Sequence, residues 1–147
     1  MIAQEGWFQQ TSGTTADLNS VFFLDSLNGW VVGDDSTILK TTSGGEEWVD
    51  ISSGFSGYDH NYKDIFFIDY SIGLIVGGNY SSGVILRSTN RGESWERVTD
   101  NNMRGLYALS FYNNNIGFAS GGTYFPATGI ILKTEDAGLN WDTSLVY

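Results

Sequence analysis

Apolar residues along the chain fall in short runs punctuated by Gly, Asn, Asp and Ser, and the same runs return three times. "LNSVFFLDSLNGWVVGD" from Leu18, "YKDIFFIDYSIGLIVGG" from Tyr62 and "LYALSFYNNNIGFASGG" from Leu106 align without gaps and start at even intervals. Their glycines match at Gly29, Gly73 and Gly117, and again at Gly33, Gly77 and Gly121. Self-similarity at a fixed period is the signature of a repeat architecture. Within each copy, "VFFL", "IFFI" and "LSFY" hold the β-branched and aromatic residues that suit a pleated surface, followed by turn chemistry in "LNG", "SIG" and "NNIG". "GWVVG", "GLIVG" and "GFASG" supply a second strand, and "TILKT", "VILRS" and "IILKT" a third. The residues from each following Trp, "WVDI", "WERV" and "WDTSLV", supply a fourth, and no helical period competes.

Four antiparallel strands in about 45 residues match the blade of a β-propeller. The expected fold is all-β: three blades with repeat cores 18–51, 62–99 and 106–146, forming one domain over residues 1–147. "GWFQQ", within residues 6–11, reads as an extra outer strand ahead of the first repeat. Propellers close with roughly four to eight blades, so three leave sheet faces and edges open. Either the sequence is excised from a longer propeller, or copies complete a ring, two chains giving six blades. A homodimer or other cyclic homo-oligomer is therefore expected.

An octapeptide joins the third and fourth strands of each copy: "TTSGGEEW" (41–48), "STNRGESW" (88–95) and "TEDAGLNW" (134–141). It fits Ser/Thr-x-Asp-x-Gly-x-x-Trp, and resembles the Asp-box, or BNR, repeat of β-propellers. In families that carry the motif it forms a turn between third and fourth strands, which implies structural roles for Thr41, Ser43, Gly45 and Trp48, for Ser88, Asn90, Gly92 and Trp95, and for Thr134, Asp136, Gly138 and Trp141. The spacing has a physical reading of its own: a short polar side chain at the third position can accept backbone N–H groups, glycine at the fifth can take φ > 0, and Trp packs the next strand. Ser43 in place of the acid predicts a weaker turn in copy one. Asp136 is accordingly expected to clamp a turn rather than to act as a catalytic acid. Residues 17–48 resemble most closely the photosystem II stability and assembly factors of plastids and cyanobacteria, with their bacterial relatives. That resemblance implies a non-enzymatic scaffold that binds a protein partner, in an exported compartment (periplasmic, lumenal or extracellular), although "MIAQEGW" carries no signal peptide.

Charge and composition narrow the chemistry. A net charge of -10 repels the phosphates of nucleic acids, and no apolar run is long enough for a spanning helix, so neither nucleic-acid binding nor membrane insertion is expected. The chain has no cysteine and one histidine, His60, without ligand partners near it in sequence, so no metal or other cofactor is expected. Sialidase chemistry would require an arginine cluster, and the arginines are dispersed at Arg87, Arg91, Arg97 and Arg104. Asp34, Asp35, Asp59 and Asp64 have no spacing that fixes a two-carboxylate pair, and read as solvated acids.

Antiparallel order puts the second-to-third hairpins on one face with the long connections between blades. The hairpins carry Asp34, Asp35, Tyr80, Tyr124 and Phe125, and the connections add Phe55, Tyr58, His60 and Arg104. Aromatics beside acids and amides suit a protein partner or stacked sugar rings, so this loop face is the candidate binding surface; a carbohydrate-binding or glycosidase-derived module is the alternative, and a self-assembling propeller fragment without ligand a third reading.

Overall fold

Three four-stranded sheets follow one another along the chain, each an antiparallel meander in sequence order. In the computed structural model, residues 9–52, 60–79, 82–98, 104–124 and 127–146 are described, with backbone alone at 124 and 144–146. Sheet one holds β1 (Leu18–Phe23), β2 (Gly29–Gly33), β3 (Ile38–Thr41) and β4 (Val49–Asp50). Sheet two holds β5 (Asn61–Phe67), β6 (Gly73–Gly78), β7 (Gly83–Ser88) and β8 (Glu96–Arg97), and sheet three β9 (Leu106–Phe111), β10 (Gly117–Tyr124), β11 (Ala127–Thr134) and β12 (Asp142–Val146). This is the all-β repeat of four-stranded blades that the sequence predicts. Of the outer strand expected over 6–11, residues 6–8 lie outside the described residues and 9–11 carry no strand.

Each sheet is pinned by the same three residues. Phe23, Phe67 and Phe111 lie over Gly29, Gly73 and Gly117, where a Cβ atom would come within 2.4–2.8 Å of the ring. The same rings meet Trp48, Trp95 and Trp141 edge-on, at centroid separations of 6.1, 6.0 and 6.2 Å. This arrangement suits the aromatic quadrupoles and holds the fourth strand against the first hairpin. Trp95 is buried between two sheets, whereas Trp48 and Trp141 are half-buried.

Alternation along the strands divides the core in two. Trp30, Val32 and Ile38 of sheet one face Ile65, Phe67, Ile75 and Leu86 of sheet two. The opposite face of sheet two, with Leu74, Val76 and Ile85, meets Leu109, Ala119 and Leu132 of sheet three. Each such aliphatic side chain removed from water contributes roughly 1.5–3 kcal/mol. A row of rings crosses the joints between first strands: Phe22 lies 5.7 Å from Phe66, which stacks on Phe111 at 5.5 Å.

The octapeptides form the β3–β4, β7–β8 and β11–β12 turns. In each, the leading hydroxyl accepts the N–H of the fifth residue: Thr41 from Gly45 at 3.0 Å, Ser88 from Gly92 at 2.8 Å, Thr134 from Gly138 at 2.9 Å. The third residue accepts the N–H four positions on, Ser43 from Glu47, Asn90 from Ser94 and Asp136 from Asn140, at 2.9–3.0 Å. Ser43 thus keeps this bond. Asp136 alone also takes the Asn140 side-chain amide, through Oδ2 at 2.7 Å. The glycines adopt φ of 93°, 67° and 80°, and the residues before them are left-handed too, Gly44 at 70°, Arg91 at 60° and Ala137 at 58°. The backbone hydrogen bond from Asn140, with help from the Asn140 amide and Thr134, holds the Asp136 carboxyl below its ordinary value of 3.8 against a smaller effect of burial.

Three substitutions read out the stability of these turns and strands. A methyl group on Gly92 would sit 2.6 Å from Trp30 Nε1 at a left-handed φ, so Gly92→Ala should lower unfolding stability by about 2–4 kcal/mol. Gly129→Ala, with open space around the new carbon, should stay within about 0.5 kcal/mol in the same denaturant titration. Because the Asp136 pKa is depressed in the folded chain, its contribution is present above the ordinary carboxylate pKa and lost as pH falls through the folded value. Asp136→Asn should therefore cost about 0.5 kcal/mol at neutral pH, and the gap from the parent protein should close below pH 3.8.

Candidate binding surface

The first strand of each sheet lies against that of the next, β1 beside β5 and β5 beside β9, so these are the inner strands of the array. Every inner strand carries a bulge at the same place. The β1–β2 register skips Asn19, the β5–β6 register skips Lys63, and the β10–β9 register skips Tyr107. A bulge re-aims the residue it releases from the ladder. Opposite each bulge stands a matched glycine, Gly33, Gly77 or Gly121, where a Cβ atom would fall 2.0–2.3 Å from the oxygen of Asp17, Asn61 or Gly105. Only glycine lets the two backbones approach this closely, which explains its recurrence in all three copies.

The three bulged residues occupy one repeat position yet differ in chemistry: an amide, an ammonium and a phenol. Asn19 Nδ2 donates to Asp34 Oδ1 at 2.6 Å and to the Tyr62 carbonyl at 2.8 Å, and Lys63 Nζ pairs with the same Asp34 oxygen at 2.8 Å. Burial opposes ionisation of Asp34, but the Lys63 and Asn19 hydrogen bonds and the Lys63 charge outweigh it, leaving its pKa below the ordinary value. Tyr107 donates to the Gly122 carbonyl at 3.2 Å, and Arg104 Nη1 donates to Thr128 Oγ1. Beside them Tyr107, Gly122, Thr123 and Thr128 line a groove of about 520 Å³.

One carboxylate links all three inner strands. Asp64 Oδ1 accepts Ser20 Oγ from sheet one at 2.8 Å, and Oδ2 accepts the Leu109 N–H of sheet three at 2.8 Å. The acid read from sequence as solvated is therefore half-buried at a joint.

Among the residues expected on the loop face, Asp34 is half-buried in the amide–ammonium clamp and Asp35 is exposed at the β2–β3 turn, with φ of 55°. Arg104 is half-buried at the entrance to β9. His60 departs from expectation: it is 4% exposed, its carbonyl accepting Ser36 N–H at 2.8 Å, so its ring is not available on the surface. Phe55, Tyr58, Tyr80 and Phe125 lie outside the described residues, as does the side chain of Tyr124. Asn19, Lys63 and Tyr107 are not among the residues expected on the loop face; their signal in the sequence is that they differ opposite a glycine present in all three copies. Among the described residues no group of three or more His, Cys, Asp or Glu side chains could hold a metal ion.

Comparison with known proteins agrees with the repeat reading. The chain is 28% identical over 136 residues to a photosystem II assembly lipoprotein Ycf48 from Synechococcus, a match spanning 90% of this chain and 38% of that protein. It is 27% identical over 143 residues to the chloroplastic photosystem II stability/assembly factor HCF136 of Guillardia theta, covering 90% of this chain and 34% of the relative. Among solved structures, a YCF48 bound to D1 peptide superposes with a TM-score of 0.71 at 26% identity, over 88% of this chain and 41% of the other. YCF48 from Cyanidioschyzon merolae gives a TM-score of 0.66 at 23% identity, a likeness of fold. The chain thus spans well under half the length of these relatives, the first two of which are named for photosystem II assembly. The family model of photosynthesis system II assembly factor YCF48 matches residues 1–146, and the chain belongs to that family.

Proposed function

We propose that the chain is a non-enzymatic propeller module that holds a polypeptide partner against its loop face. The observation that carries the partner reading is the likeness to a YCF48 bound to D1 peptide, at a TM-score of 0.71. The bulged inner strands support it from within the molecule. Asn19, Lys63 and Tyr107 offer three different hydrogen-bonding groups at one level, with Asp34 bonded to both Asn19 and Lys63 and Arg104 just ahead of Tyr107 in the sequence. Such a set suits an extended peptide, whose N–H and C=O groups alternate and whose carboxylates would meet Lys63 and Arg104. An exported compartment is the setting we infer, supported by relatives described as a lipoprotein and as chloroplastic.

Titrating a fluorescently labelled D1 peptide into the protein should give saturable binding. Lys63→Ala should weaken it about tenfold, the equivalent of one charge-assisted hydrogen bond, with the circular dichroism spectrum unchanged. Absence of binding, or affinity indifferent to substitution at Lys63, Tyr107 and Arg104 together, would sink the reading.

A further inference from the structure

The repeat gives each bulged residue one neighbour in its own sheet. Asn19, Lys63 and Tyr107 share one position, and Asp34, Gly78 and Gly122 share another, just beyond the matched glycine. In sheet one the two meet side chain to side chain, Asn19 Nδ2 donating to Asp34 Oδ1 at 2.6 Å. In sheet three they meet through the backbone, Tyr107 Oη donating to the Gly122 carbonyl at 3.2 Å. In sheet two Gly78 has no side chain to offer, and Lys63 Nζ reaches back across the joint to the same Asp34 oxygen, at 2.8 Å. Asp64, next to Lys63 in the chain, is already engaged: its oxygens accept Ser20 Oγ and the N–H groups of Ile65 and Leu109.

One carboxylate oxygen therefore receives an amide and an ammonium from two different sheets. The donors are placed independently of the acid between them. Asn19 Nδ2 is held by a second bond, to the Tyr62 carbonyl at 2.8 Å, and the bulge aims Lys63 out of its ladder. Sheets two and three form the same second-to-third ladder with glycine at the position of Asp34, so strand pairing does not require the acid. Asp34 arrives from a turn whose next two residues, Asp35 and Ser36, both take left-handed φ, 55° and 58°, without being glycine. Such residues cost backbone energy, and the Ser36 N–H donated to the His60 carbonyl at 2.8 Å helps to hold them. The Lys63 and Asp34 side chains keep 30% and 28% of their exposure, so the pair is reachable from solvent and weak enough to exchange.

We infer that Asn19 Nδ2 and Lys63 Nζ form a carboxylate-binding subsite, which Asp34 fills in the unbound chain and yields to a carboxylate of the polypeptide partner. The ligand chemistry is the one already seated there: an oxygen that takes a charge-assisted bond from the ammonium and a neutral one from the amide. Replacing one carboxylate by another preserves the ion pair, whereas a neutral carbonyl does not dislodge an ionised acid from an ammonium. Asp34 thus sets a threshold, since a partner engages Lys63 only when its other contacts hold its carboxylate in place. The identity of the partner rests on the loop-face reading proposed above; the subsite itself is tested without peptide.

Asp34→Gly installs the residue that sheets two and three carry and removes the internal carboxylate. Acetate, titrated against chloride at equal ionic strength, is the probe. The Asn19 side-chain amide resonances should shift saturably with acetate in Asp34→Gly, and not in the parent protein or in the Asp34→Gly, Lys63→Ala double variant. Asp34→Ser, with a less flexible backbone, should respond as Asp34→Gly does. In the second arm, Asp34→Gly should bind labelled D1 peptide about three- to fivefold more tightly than the parent, and the gain should vanish when Lys63 is also replaced by alanine. A purely structural Asp34 predicts weaker binding instead. No acetate response in either variant lacking the acid would overturn the inference. So would a peptide affinity that falls or stays level on removal of Asp34 while Lys63→Ala weakens it. An acetate response without peptide binding by any variant would uphold the subsite and reject the loop-face reading.

Discussion

A phenylalanine ring lying over a side-chain-free glycine and meeting an indole at its edge is the contact on which each sheet is built. Phe23, Gly29 and Trp48 make it in the first sheet, Phe67, Gly73 and Trp95 in the second, Phe111, Gly117 and Trp141 in the third. Because these residues come from the end of the first strand, the start of the second and the turn before the fourth, one cluster fixes three parts of the meander relative to each other. The octapeptide turn then has a definite purpose: two successive left-handed residues, held by hydroxyl and amide or carboxylate acceptors, deliver the indole to its ring.

Between sheets the forces are of two kinds. Apolar faces interdigitate in two clusters, which supply most of the burial, and polar straps set how one sheet stands against the next. Lys40, Arg87 and Asp64 each reach across a joint, the two bases to a turn (Lys40 to Glu93, Arg87 to the Ala137 carbonyl) and the acid to the Ser20 hydroxyl and the Leu109 N–H. The Asp34–Lys63 pair does the same near the β2–β3 turn. Since these groups remain partly solvated, their individual contributions are modest, and direction rather than strength is what they add.

Much of this was legible in the sequence because aromatic and glycine positions recur with the blade, and recurrence reports what packing demands. Strand order, the octapeptide turns and the related environments of Trp48, Trp95 and Trp141 all follow from that regularity. The left-handed residue ahead of each octapeptide glycine was not legible: Gly44 hints at it, but Arg91 and Ala137 carry no such mark. Nor was the bulge that releases Lys63 from the ladder, since a bulge is a matter of register that leaves no trace in the bulged residue itself, only in the glycine opposite. His60 misled because its place in a polar connection says nothing of the Ser36 backbone that draws it inward. Asp64 looked like one surface acid among many, since its partners Ser20 and Leu109 are distant along the chain.

The straps of Lys40 and Arg87 reach no further than the adjoining sheet. An array joined in this way is extended or shortened by whole units without redesign, because a duplicated segment brings with it both the hook for its successor and the eye for its predecessor. Variation in ring size among related chains is then cheap for evolution, while change inside any one unit is constrained from both sides.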